Sequence, residues 1–178
     1  INPLSFEALN NRGIASCQAG NPDQAIEDLN QAIALKPNSS QAHFNRGLAQ
    51  RVFGHTNAAL DDYTRCIELD SKNYRALNNR AMLHRDLKNF DEAIHDLDKC
   101  LSLQPNFAEA MWNKSLTLLL MGNLDLGWEL YESRWSTAEF KSKGRNFASP
   151  LWLGENSLKN KTILVHSEQG LGDSLQFC

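Results

Sequence analysis

Apolar residues recur along this chain at helical spacing in short blocks, and each block is broken by a turn signal. Ala8, Ile14 and Ala15 lie on a first helical pattern, which Gly20-Asn21-Pro22 ends. Asp23 is placed to cap a second helix, where Ala25, Ile26, Leu29, Ala32 and Ile33 fall on one face. Lys36-Pro37-Asn38 closes that helix, because proline cannot extend a helix and disfavours helix in the residue before it. The same break returns at Gly54-His55-Thr56-Asn57, Lys88-Asn89-Phe90-Asp91 and Gly122-Asn123-Leu124-Asp125. The pattern predicts an all-α chain of paired helices.

The pairs are copies of one another. Asn45-Arg46-Gly47 repeats Asn11-Arg12-Gly13, and Asn79-Arg80-Ala81 follows at the same 34-residue step. Ile33-Ala34-Leu35, Ile67-Glu68-Leu69 and Leu101-Ser102-Leu103 keep that register. The repeats are placed at 6–39, 40–73, 74–107 and, in degenerate form, 108–141. Gly13, Gly47, Ala81 and Ser115 share one position of the first helix, and Ala25, Ala59, Ala93 and Gly127 share one of the second. Larger residues there would hold the helices apart. From Phe6 to Trp135 this combination resembles the tetratricopeptide repeat (TPR). The resemblance implies an α-solenoid of antiparallel helix pairs, a TPR superhelix, with a short non-repeat C-terminal tail. In the fourth repeat Gly127 replaces the alanine, Arg134 takes the third small position, and no proline closes the unit. Trp112, Trp128, Tyr131 and Trp135 make it more aromatic, as befits a terminal repeat that packs against whatever follows it.

Stacked repeats of this kind line their concave side with first helices. A column of one residue type runs along them: Asn11, Asn45, Asn79 and Asn113. Asparagine is a mediocre helix former, so local propensity does not explain four of them in mid-helix. A side-chain amide both donates and accepts, so a row of amides can clamp the backbone of an extended peptide. The column resembles the asparagine ladder of O-linked N-acetylglucosamine transferase, which implies that these four residues grip a polypeptide. The other reading is architectural, each amide bonding to the adjoining repeat. Beside the ladder, Arg12, Arg46, Arg80 and Lys114 face an equally regular column of Asp28, Asp62 and Asp96. Pairing within the chain is the plainer account of these charges than a receptor for acidic tails.

Composition narrows the function. The chain of 178 residues has a formal net charge of −3, with no basic surplus to hold a phosphate backbone, so nucleic acid is not expected as a partner. The longest apolar run, Leu116 to Met121, is far short of a membrane span. Cys17, Cys66, Cys100 and Cys178 form no CxxC pair, and Cys66 and Cys100 occupy matching repeat positions, which predicts core packing and a reducing, cytoplasmic setting. His43, His55, His84, His95 and His166 show no ligand spacing, so neither a metal nor a cofactor is expected. No catalytic motif falls within the repeats. The expected partner is a protein or peptide, with self-association through the last repeat or the tail as a further reading.

The composition shifts after Ala138. Residues 142–161 read as a linker, Thr162 to His166 as a short buried strand, and Ser174 to Cys178 as the start of a helix. Between strand and helix lies Gln169-Gly170-Leu171-Gly172-Asp173. The segment from Pro150 onward resembles the junction in bacterial proteins that join tetratricopeptide repeats to a heptosyltransferase-like glycosyltransferase domain. That resemblance implies a parent enzyme in which Gly170 and Gly172 shape a loop at the active site and Asp173 is a candidate general base. Within this chain the glycines equally permit a tight turn and Asp173 equally caps a helix. A lone strand cannot build a parallel sheet, so residues 162–178 read as the truncated start of an α/β domain. No catalysis is expected of the chain itself; at most it is the acceptor-recognition part of such an enzyme.

Overall fold

The computed structural model describes residues 4–141, together with residues 157 and 159. The chain divides into two compact units, Ile1–Gly144 and Arg145–Cys178, and every described helix belongs to the first. The linker at 142–161 falls outside the described residues save for 157 and 159, and the strand and glycine loop expected at 162–178 fall outside them altogether.

Four helical hairpins follow one another. They are α1 (Phe6–Gln18) with α2 (Pro22–Leu35), α3 (Ser40–Val52) with α4 (Thr56–Leu69), α5 (Tyr74–Asp86) with α6 (Phe90–Leu103), and α7 (Ala108–Leu120) with α8 (Leu124–Tyr131). A 3₁₀ turn (Glu132–Ser136) and the short α9 (Ala138–Lys141) complete the unit. The first helices share a start signal. Ser5, Ser39 and Asn73 stand one repeat apart at the N-caps of α1, α3 and α5, and each side chain accepts a hydrogen bond from the backbone N–H three residues on. Phe107 holds the same position before α7 without a capping bond, and packs edge-on against Tyr74 at 5.1 Å. The second helices start less tightly. Asn21, not Asp23, is the N-cap of α2, because Pro22 occupies the first turn, where its missing N–H costs nothing.

The turns inside the hairpins need a residue at positive φ. Gly20, Gly54 and Gly122 supply it at +75°, +79° and +84°, and Lys88 fills the same place in the third repeat at +65°. The small-residue columns work as close contacts. A Cβ on Gly13 would lie 2.7 Å from the Leu29 side chain, and one on Gly47 would lie 2.8 Å from the Tyr63 ring. Ala25, Ala59 and Ala93 are fully buried on the facing helices. Successive hairpins bury Tyr63, Leu77, Leu97, Cys66 and Cys100 in one continuous core that runs from the second repeat into the fourth. The two cysteines are packing residues, as their register implies.

The fourth hairpin is short. Arg134 sits where the other repeats carry Ala32, Cys66 and Cys100, and a guanidinium cannot fill that close contact. The helix breaks into the 3₁₀ turn, and Arg134 stays buried by lying over the rings of Tyr131 and Trp135, at 4.3 and 4.6 Å from their centroids. Phe140 then closes on Trp112 and Trp135, edge-on at 5.4 and 5.9 Å. No helix among the described residues is long and apolar enough to cross a membrane.

Candidate functional site

Within the stack α1 approaches α3 and α5 approaches α7, whereas the second helices of successive hairpins stand apart. The stack is therefore tighter on the side of the first helices, which is the inside of its curve. The charged columns do not occupy that inside. Arg12, Arg46 and Arg80 each grip the aspartate of their own hairpin with two nitrogens, at 2.6 and 2.6 Å to Asp28, 2.8 and 2.7 Å to Asp62, and 2.7 and 2.7 Å to Asp96. These are not surface pairs, because the three carboxylates are 0%, 3% and 2% exposed. The Arg12 guanidinium beside Asp28 holds its carboxyl below the usual carboxylate range, against the opposing effect of burial. The column ends at the fourth repeat, where Lys114 turns to the exposed Asp98 at 2.6 Å. His43 closes the second pair, with one ring nitrogen 3.3 Å from Asp62 and the other 3.0 Å from the Pro37 carbonyl. A cation column locked onto buried anions has little left for a ligand.

The four asparagines are not equivalent. Asn45 and Asn113 are 5% and 6% exposed. Asn45 Nδ2 donates to Asn10 Oδ1 of the preceding hairpin at 2.9 Å, and its Oδ1 accepts from Gln41 at 3.0 Å. Asn113 Nδ2 likewise donates to Asn78 Oδ1 at 2.9 Å, and its Oδ1 accepts from Arg85 at 3.3 Å. These two amides tie one repeat to the next. Asn11, on the first described helix, is exposed, while Asn79 is half-buried. The partner position explains the difference. Asn10 and Asn78 belong to a second column one residue before the ladder, and in the second repeat that column carries Phe44. Asn79 therefore has no amide opposite it. It faces the phenol of Tyr63, which burial pushes up to about 12, and Arg51 faces the same phenol.

A second row escaped attention in the sequence. Three residues beyond each asparagine stand Ile14, Leu48, Met82 and Leu116, all half-buried and all on the same helix face as the ladder. Their common 34-residue step is the signal in the sequence that could have found them. The inner side thus carries an apolar row with an amide column along one edge, interrupted at the two asparagines that bind the preceding repeat. Asp173, Gly170 and Gly172 lie outside the described residues.

Comparison with known proteins agrees with this architecture. Family models for the tetratricopeptide repeat match residues 40–73 and 74–107, and a further TPR-repeat model matches residues 13–50. Protein FlbA of Caulobacter vibrioides is 36% identical over 64 residues, which is 36% of this chain and 11% of that protein. Among solved structures, a crystal structure of MamA superposes with a TM-score of 0.69 at 25% identity, over 80% of this chain and 84% of that one. PilF of Pseudomonas aeruginosa gives 0.67 at 25% identity, over 75% and 61%. The first TPR of Spaghetti (RPAP3), solved with the HSP90 peptide SRMEEVD, gives 0.64 at 20% identity, over 68% and 97%.

Proposed function

We propose that this chain, an array of tetratricopeptide repeats, binds an extended segment of a partner polypeptide along the side lined by α1, α3, α5 and α7. One observation carries the reading: an apolar row, Ile14, Leu48, Met82 and Leu116, runs beside the amide column at the same step over all four hairpins. Apolar side chains of a ligand gain from contact with that row, while the free amide functions of Asn11 and Asn79 are available to its backbone. Asn45 and Asn113 frame the groove and keep its repeats in register. An array of this fold, the first TPR of Spaghetti, was solved with a peptide, so the architecture is compatible with that role. A cytoplasmic setting goes with this reading.

The test is a selection of peptides from a displayed random library on the immobilised chain, followed by affinity measurement. Asn79→Ala with Met82→Lys should weaken the selected peptides about tenfold or more. Glu92→Lys, on the exposed surface of α6, should leave them unchanged. Selected peptides that ignore the inner substitutions, or a library that yields none, would refute the groove.

The tail favours a second reading, in which the groove presents an acceptor polypeptide to a glycosyltransferase domain containing Gly170, Gly172 and Asp173. Its support is the sequence from Pro150 to Cys178 alone. A nucleotide sugar should then bind a chain extended through that domain, and isothermal titration of such a chain would decide it.

A further inference from the structure

The three joints between successive hairpins are built alike. A cationic side chain of each first helix reaches back to the second helix before it. Arg46 Nη1 donates to Asn30 Oδ1 at 2.8 Å, Arg80 Nη1 to Thr64 Oγ1 at 3.1 Å, and Lys114 Nζ to Asp98 Oδ1 at 2.6 Å. One turn before those acceptors, on the same helix face, stand Ile26, Leu60 and Ile94, all half-buried. On the receiving side Ala42 and Ala49 of α3, and Ala76 and Leu83 of α5, are buried. Ala49 packs with Ala25 and Leu29 of the preceding hairpin.

The first and last described hairpins each leave one half of this joint open. On α8 the 34-residue step puts Trp128 in the column of Ile26, Leu60 and Ile94, and it puts Glu132, at the C-cap, in the column of Asn30, Thr64 and Asp98. Trp128 is 57% exposed, and Leu124, one turn earlier on the same face, is exposed as well. The Glu132 carboxylate is partly exposed and takes a hydrogen bond from Arg134 on Oε1. On α1, Ala8 and Ala15 hold the positions of Ala42 and Ala49, yet Ala8 is half-buried and Ala15 is exposed. Arg12 uses Nε and Nη2 on Asp28. Its Nη1, the nitrogen with which Arg46 and Arg80 reach the preceding hairpin, makes no hydrogen bond among the described residues. An apolar face flanked by an acid therefore stands on α8, and a small-residue face flanked by an open guanidinium nitrogen stands on α1.

We propose that this face of α8 receives α1 of a second copy of the chain, so that the fourth hairpin of one copy meets the first hairpin of the next as neighbours meet within the array. Trp128 and Leu124 lose water against the small residues of α1, and Arg12 Nη1 meets Glu132. The charges are opposite, as they are where Lys114 meets Asp98 at the joint between the third and fourth hairpins. The contact is heterologous, because the two copies use different faces, and each added copy leaves one face of either kind free. It is independent of the peptide groove, which lies along the inner side.

The test follows the 178-residue chain by sedimentation velocity over an about hundredfold range of concentration. The average mass should rise past that of a dimer. Trp128→Glu removes one face and Ala15→Glu the other, so each variant alone should associate about tenfold or more weakly. Mixed in equal amounts they should form a dimer and nothing larger, because the first keeps its α1 and the second keeps its α8. Leu124→Glu, which leaves the edge-on contact of Trp128 with Tyr131 in place, should repeat the Trp128→Glu result. Circular-dichroism melting shows that each variant is folded. A wild-type chain that stays monomeric overturns the proposal, and so does a mixture that fails to associate. Undiminished association of Ala15→Glu alone also overturns it, since another surface then joins the copies. None of these results alters the reading of the inner side, which the selected peptides test separately.

Discussion

Arg80→Met isolates the energetics of the buried ion pairs. Asp96 is 2% exposed and takes both of its short hydrogen bonds, at 2.7 Å, from Arg80. Removing the guanidinium leaves a buried carboxylate without either of its donors, and breaking a buried pair in this way costs about 3–5 kcal/mol. The Arg80 side chain is 19% exposed, so water enters the vacated space and the lower end, about 3 kcal/mol, applies. Against a total stability of roughly 5–15 kcal/mol, that is a large fraction. Removing both partners, as Arg80→Met with Asp96→Leu, takes away the stranded charge and should recover most of the loss, with a coupling energy of about 2 kcal/mol. The measurement is urea unfolding followed by far-UV circular dichroism at neutral pH. The slope with denaturant should be checked, because a repeat array that splits into separately melting parts gives a lower value. Lys114→Met is the control. Asp98 is exposed, so losing its pair should change stability by less than about 0.5 kcal/mol. If Arg80→Met also costs less than about 1 kcal/mol, the column is a set of ordinary surface pairs and the reasoning fails.

Other expectations follow from the same geometry. The Asp28 carboxyl titrates below its unfolded-state value because Arg12 stabilises its charge; its contribution is complete above about pH 4 and disappears as pH falls through the folded-state value. Wild type and Asp28→Asn should thus converge in melting temperature on acidification, and a gap that widens instead would refute the assignment. Burial pushes the Cys66 thiol up to about 11 and the Cys100 thiol up to about 12, so both should resist a thiol reagent at mildly alkaline pH until urea unfolds the array; half-buried Cys17 should react earlier. Asn45→Ala strands the Asn10 carbonyl in a buried seam and should cost about 1–2 kcal/mol in thermal unfolding, whereas Asn79→Ala should be nearly neutral. Lys88→Gly relieves the one non-glycine residue at positive φ among the described residues and should raise stability by about 0.5–1 kcal/mol in the same assay.

The fold was legible because its determinants are local and periodic. A hairpin needs two amphipathic helices, a turn and a small residue at each close contact, and all of these recur at fixed positions from Gly13 and Ala25 onward. The Arg–Asp columns could be paired for the same reason. Their burial could not be read, since it depends on the neighbouring hairpin covering the carboxylates. The asparagine ladder shows the limit more sharply. Four identical residues in identical register look equivalent, yet Asn45 and Asn113 are bonded to the preceding repeat and Asn79 is not. The distinction lies across the seam, at Asn10, Phe44 and Asn78, in a column whose identities alternate and therefore do not register as a motif. Lys88 in a glycine position is a similar case, where the hairpin tolerates local strain because packing on both sides fixes the turn. The end of α8 at Tyr131 follows from Arg134, which the sequence marked as out of place without saying where it would go.

Phe44 has a mechanical consequence. Two pairs of hairpins are each stitched together by a bond between amides, and they meet at a joint that lacks the stitch. The core runs unbroken through that joint, so the hairpins stay packed there, but the inner edge has no clasp, and the spacing of the first helices should yield there more readily than at the two clasped seams. A chain lying along the inside would feel that variation as a change in the spacing of its own contacts, which makes one phenylalanine the setting screw for how long a segment the array can grasp.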